Sequence, residues 1–153
     1  MNTALMMFYL VLFVAPISNF FHELGHLLGA RLAKADVITV TIGRGKEVLK
    51  LEYKNIGIQI GILFFTSAVT SSNREKSYGS FEMIYISFLG PFFNAVIVFI
   101  CYPLYQDLTN PYFLVFILYN GWLFMMNCIP YKIGKQESDG YVIMKEIFQK
   151  NVY

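Results

Sequence analysis

Ala4-Leu-Met-Met-Phe-Tyr-Leu-Val-Leu-Phe-Val-Ala-Pro-Ile-Ser-Asn-Phe-Phe21 runs without a charged residue into His22-Glu23-Leu24-Gly25-His26, and the reading of this joined stretch decides the fold. An uncharged apolar run of this length predicts a membrane-spanning helix. The motif that follows continues the same helix, on which positions i and i+4 share a face one turn apart. Both imidazoles can therefore reach one divalent ion with the Glu23 carboxylate beside it. His22 and His26 are the only histidines in the chain.

This pattern is the signature of a zinc hydrolase, although two helical histidines can also do no more than cap an apolar face. Three features favour metal chemistry. Ionisable side chains are costly inside a membrane segment and so are functional by default. Both histidines fall in one motif. Gly25, Gly29, Ala30 and Ala33 also leave one helix face thin enough for a second helix to pack closely on the metal side. Pro16, Ser18 and Asn19 predict a kink just before the motif, with the freed backbone groups satisfied by neighbouring helices or water.

Composition agrees: of 153 residues 56% are hydrophobic and 14% charged, too apolar for an ordinary soluble domain. The economical expectation is one domain, residues 1–153, with spans at about 5–33, 81–105 and 112–131. No basic n-region precedes the first span, and cleavage after it would discard the motif, so it reads as a retained helix rather than a leader. A net charge of +2 without a basic, aromatic-interleaved stripe argues against a nucleic-acid partner. Every Lys and Arg falls in the Arg31 to Ser80 segment or after the third span. The positive-inside rule then predicts a multi-pass protein of the cell membrane, N-terminus outside and C-terminus cytoplasmic. Cys101 and Cys128 would lie near opposite leaflets of a core about 30 Å thick, beyond the reach of a disulfide.

Between the first two spans, Val37-Ile-Thr-Val-Thr-Ile42 and Val48-Leu-Lys-Leu-Glu-Tyr53 flank Gly43-Arg44-Gly45 and read as a hairpin. Asn55 to Phe65 reads as a third strand or an interfacial connector; as an exposed edge it could pair with an extended peptide. Thr66 to Ser80 is polar and reads as a loop. In the second span, Gly90 permits close helix approach, Pro91 removes a backbone donor, and Asn94 should face the interior as packing glue or site lining. Beyond the third span, Tyr141 to Tyr153 predicts an amphipathic helix lying on the membrane. A catalytic zinc takes three protein ligands, and a carboxylate commonly joins two histidines. Asp36, Glu82, Glu137, Asp139 and Glu146 are the candidates. Ser138 and Gly140 favour a tight turn at Asp139, but spacing alone does not separate it from Glu137.

In order along the chain, His22-Glu23-Leu-Gly-His26, Gly90-Pro91-Phe-Phe-Asn94, and Asn127-Cys-Ile-Pro130 with Asp139-Gly140 resemble the site-2 protease family of intramembrane zinc metalloproteases, peptidase family M50. The resemblance covers nearly the whole chain as a minimal form without the extra spans, PDZ or CBS modules of many relatives. It implies an α-helical membrane protein: a three-helix core, a small β-hairpin or sheet between the first and second helices, and a C-terminal amphipathic helix. It also implies one Zn²⁺ per chain held by His22, His26 and Asp139, with Glu23 as the catalytic carboxylate. The chain departs from the family in one place: Tyr131 to Ser138 separate the Asp-Gly pair from the Asn-x-x-Pro element.

The expected reaction is peptide-bond hydrolysis near the cytoplasmic face, as in regulated intramembrane proteolysis. The partners would be the lipid bilayer and a membrane protein or hydrophobic peptide substrate; homo-oligomer formation is left open. Asn94 and Asn127 are candidates to bind substrate backbone or the developing oxyanion. The alternatives are a catalytically silent binding or immunity module for hydrophobic peptides, and an enzyme that trims a short secreted peptide.

Overall fold

The computed structural model describes residues 2–149. Thr3 to Leu32 is a continuous helical rod in three pieces: α1 (Thr3–Tyr9), a π-helical turn (Leu10–Val14) and α2 (Ala15–Leu32). The widened turn lies just ahead of Pro16, which has no amide hydrogen and whose ring crowds the carbonyl four residues back, so the π turn marks where the rod accommodates the proline. Helix α3 is Ser80–Leu108 and α4 is Pro111–Cys128, the latter capped by the Asn110 side chain on the Tyr112 amide at 2.9 Å. The three rods, of 30, 29 and 18 residues, are long and apolar enough to cross a membrane. Helix α4 stops at Cys128, before the expected Tyr131, because Pro130 pushes Ile129 into an extended conformation.

Glycines set the spacing of α2 and α3. A Cβ on Gly25 would overlap the Leu89 carbonyl, and one on Gly29 would stand 2.7 Å from Ile86 Cα. The second helix thus packs directly on the histidine-bearing face.

The connecting sheet departs from the expected hairpin. Two long antiparallel strands, β1 (Val37–Tyr53) and β2 (Ile56–Asn73), each bend and contribute two segments. Val37–Ile42 pairs with Ala68–Asn73, and Leu49–Tyr53 pairs with Ile56–Ile60. Ile56–Ile60 also stands beside Ile38–Ile42, Ile38 opposite Ile56 and Ile42 opposite Ile60. The two halves of β1 are therefore separated by a segment of β2, because Gly43 and Gly45, at φ 83° and 87°, bend the strand instead of closing a tight turn. The tight turn comes at Lys54, φ 55°.

Two further expectations change with this register. Ile56–Ile60 is paired on both sides and offers no free edge. Thr66–Asn73, expected as loop, is strand; its Ala68–Asn73 segment forms the sheet's outer edge and has no further strand partner among the described residues.

The sheet is fixed to the end of α2 by a core of Ala30, Ala35 and Ile38, with Leu27, Ile56 and Tyr78 packed on it. Arg74 ties the exit of β2 to both helices. Its guanidinium donates to the Ala33 carbonyl at the end of α2, to the Lys76 and Ser77 carbonyls, and to both carboxylate oxygens of Glu82 in the first turn of α3.

After α4 comes a miniature hairpin, β3 (Lys132–Ile133) with β4 (Gln136–Glu137), turning at Gly134 with φ 61°. Its base is closed by the Ser138 amide donating to the Tyr131 carbonyl at 3.0 Å. Helix α5 (Asp139–Gln149) follows and packs on α3. The rest of the helix expected over Tyr141 to Tyr153 lies outside the described residues.

Candidate metal centre

Helix periodicity places His22 and His26 on the α3-facing side of α2, and the ring nitrogens are oriented from behind. His22 Nδ1 lies 2.7 Å from Asn94 Oδ1, and His26 Nδ1 lies 2.8 Å from the Ile86 carbonyl. A carbonyl can only accept, so each Nδ1 carries the hydrogen and each Nε2 presents its lone pair. The two Nε2 atoms stand 3.1 Å apart. Gly90 makes room for them, since a Cβ there would overlap the His26 ring.

Asp139 enters from the opposite side. Its Oδ2 is 3.2 Å from His22 Nε2 and its Oδ1 is 3.4 Å from His26 Nε2. Three local features put it there. Ser138 caps α5, its Oγ accepting from the Tyr141 amide at 3.1 Å and donating to the Ile129 carbonyl at 2.8 Å. Asp139 then begins the helix, where the dipole favours an anion. Gly140 has no Cβ and so seats the helix start directly on the Cys128 carbonyl.

The other acidic candidates with described contacts are engaged elsewhere. Glu137 pairs with Lys132 at 2.6 Å and is held below the usual carboxylate range by that ammonium. Glu82 is forked by Arg74, and Asp36 Oδ2 accepts from the Glu75 amide at 2.8 Å. The eight residues from Tyr131 to Ser138 are looped out as the β3–β4 hairpin, which returns the chain to its starting point, so Asp139 still emerges beside the end of α4.

Glu23 is buried within the same cluster; a carboxylate oxygen lies within 4.8 Å of the imidazole nitrogens, and Oε2 has no hydrogen-bond partner among the described residues. These observations fit zinc. Ligands about 2.0–2.1 Å from a tetrahedral ion sit roughly 3.3–3.4 Å from one another, close to the separations of the two Nε2 atoms and the Asp139 oxygens. An unpaired buried carboxylate oxygen next to that point is the arrangement expected of a proton acceptor.

The cluster opens into a cleft of about 900 Å³. The β2 edge lines one wall through Ser67 to Thr70, and the β3–β4 hairpin lines another through Lys135 to Glu137. Asn127 also lines it, with one amide hydrogen committed to the Leu123 carbonyl at 2.9 Å. Asn94 does not: it is fully buried behind His22, its Nδ2 donating to Asn120 Oδ1 at 2.9 Å and to the Ser18 carbonyl at 3.3 Å. Asn120 was not singled out in the sequence. The signal that picks out Asn94, an amide inside an apolar span, applies equally to it, and it lies seven residues before Asn127, two turns along one face.

Comparison with known proteins gives a consistent result. A family model described as Peptidase family M50 matches residues 7–151. A protein of Campylobacter jejuni whose name assigns it, provisionally, to the zinc metalloproteases is 32% identical over an alignment of 103 positions, covering 58% of this chain and 28% of that relative. The match thus spans little more than a quarter of the relative's length.

Proposed function

The chain belongs to peptidase family M50, and from that membership we propose that it is an intramembrane zinc metalloendopeptidase that cleaves a membrane-spanning or hydrophobic peptide near the cytoplasmic face. The observation that carries this reading is the convergence of His22, His26 and Asp139 on one point beside the buried Glu23, at the head of a cleft bordered by a strand edge.

A membrane setting is supported by the inverted surface of the helices. Large apolar side chains point outward, Phe99 being 81% exposed, while Ser18, His22, Glu23, Ser87, Asn94 and Asn120 are buried between the helices. In water such a surface would aggregate; against lipid it is the favourable arrangement. With the N-terminus outside, the motif half of α2 lies toward the cytoplasmic leaflet, and the cleft provides access for water and substrate.

His22, His26 and Asp139 would hold the ion. Zinc, when bound, supplies Lewis acidity that polarises the scissile carbonyl and makes water more acidic. Glu23 takes the proton of the attacking water as the carbon–oxygen bond forms, and delivers it to the amide nitrogen as the carbon–nitrogen bond breaks. A helical substrate must unwind to expose its peptide bond. The Ala68–Asn73 edge offers unpaired backbone groups against which the unwound segment can lie extended. Asn127 retains one amide hydrogen and its carbonyl for the substrate backbone.

The test compares, by mass spectrometry, membrane-derived peptides released by cells expressing wild type or Glu23→Gln. Products present with wild type and reduced about 10²-fold or more in the variant, with zinc still bound, support the reading and identify the bond. Matching profiles from two zinc-loaded proteins would overturn it in favour of a binding module.

A further inference from the structure

The two histidines are oriented by partners of different kinds. His26 Nδ1 faces the Ile86 carbonyl, which has no hydrogen to give. His22 Nδ1 faces a side-chain amide, one end of which accepts while the other donates. With the NH₂ end of Asn94 toward it, His22 would carry its hydrogen on Nε2, and that nitrogen could not ligate a metal. The choice is made deeper in the bundle. Asn94 Nδ2 donates to Asn120 Oδ1 at 2.9 Å, and Asn120 Nδ2 donates to the Phe116 carbonyl at 2.8 Å and to Ser18 Oγ at 2.9 Å. The string ends on a main-chain carbonyl, which fixes its direction throughout: Phe116 orients Asn120, Asn120 orients Asn94, and Asn94 orients His22. Ser18, Asn94 and Asn120 are all fully buried, so each wrongly turned amide would leave unpaired groups in a low-dielectric setting.

We propose that Asn120 is a positioning residue for the metal centre: from α4, which contributes no ligand, it holds the Asn94 amide carbonyl-first against His22 and so sets the one His22 tautomer able to bind metal. The inference rests on the zinc reading of the site. Without Asn120, the only contact that still holds the Asn94 amide carbonyl-first toward His22 is the longer one from Nδ2 to the Ser18 carbonyl, 3.3 Å, and the turned-over amide is penalised less. Metal affinity consequently depends on the docking of all three helices.

The test measures zinc affinity of the full chain in detergent, by competition with a chromophoric chelator, for wild type, Asn120→Leu, Asn94→Asp and the double variant. A carboxylate at position 94 accepts from His22 Nδ1 with either oxygen and needs no orienting. Asn120→Leu is expected to weaken zinc binding about tenfold in the wild-type background, but no more than about twofold in the Asn94→Asp background. Asn120→Asp, whose protonated carboxyl can donate to Phe116 and accept from Asn94, should restore affinity. Nitrogen NMR of the metal-free protein, with only two imidazoles to follow, should show one ring losing its Nδ1–H form in Asn120→Leu. An equal loss in both backgrounds, or unchanged affinity in Asn120→Leu, overturns the proposal. A wild type that binds no zinc overturns the metal reading and this proposal with it, an outcome distinct from a zinc-binding protein indifferent to position 120.

Discussion

At the scale of the residue, the site depends on small side chains as much as on its ligands. Gly90→Ala would push a methyl group into the His26 ring and to 3.0 Å from His22 Cε1. Zinc affinity is expected to fall at least about tenfold while helix content is retained; chelator competition beside circular dichroism checks both. The proposed third ligand, Asp139, can be separated from its neighbour in the same way. Asp139→Asn, which removes a direct ligand, should weaken zinc binding by more than the roughly 10- to 100-fold lost with an orienting partner, whereas Glu137→Gln should leave it unchanged, and the reverse order would move the ligand to Glu137. His22, Glu23 and His26 were legible in the sequence because a helix brings i and i+4 together locally. Choosing between Asp139 and Glu137 required the chain's return across the hairpin, and the dependence of His22 on Asn94 joins residues 72 positions apart.

At the scale of the element, the three apolar helices could be read from length and hydropathy, but the sheet pairing could not. Gly43 and Gly45 resemble a hairpin turn until a competing strand is available, and Ile56–Ile60 wins the place beside Ile38–Ile42 with its β-branched side chains. Thr66–Asn73 looks like a loop because it lacks an apolar alternation; as an edge strand lining a polar cleft, it needs none. The β3–β4 hairpin gives a pH prediction. Lys132 depresses the Glu137 carboxyl, and a depressed carboxylate stabilises the fold above its unfolded-state value and ceases to do so as pH falls through its folded-state value. The gap in thermal midpoint between wild type and Glu137→Gln should therefore be present near neutrality and close as pH falls below about 4.3. A gap constant with pH would show that the pair contributes nothing.

At the scale of the whole molecule, the sheet and the helix bundle meet at Arg74, whose guanidinium serves α2, α3 and the exit of β2 at once. Nothing in its sequence neighbourhood marks it, since Asn73-Arg74-Glu75-Lys76 reads as an ordinary charged connector. Arg74→Ala should lower the thermal midpoint in detergent, and Arg74→Lys should recover little of the loss, because a point charge cannot replace a fork that reaches several acceptors. Equal midpoints for wild type and Arg74→Lys would reduce the junction to simple charge pairing. The hairpin between α4 and α5 has a practical consequence for watching this molecule at work. Its loop rises from a closed base, nothing among the described residues lies within 4 Å of where a side chain would leave Gly134, and the neighbouring Lys135 borders the cleft. A fluorophore or spin label attached through Lys135→Cys, with Cys101 and Cys128 replaced, would sit at the doorway of the chamber without touching its floor, and could report the arrival and departure of the proposed peptide substrate in real time.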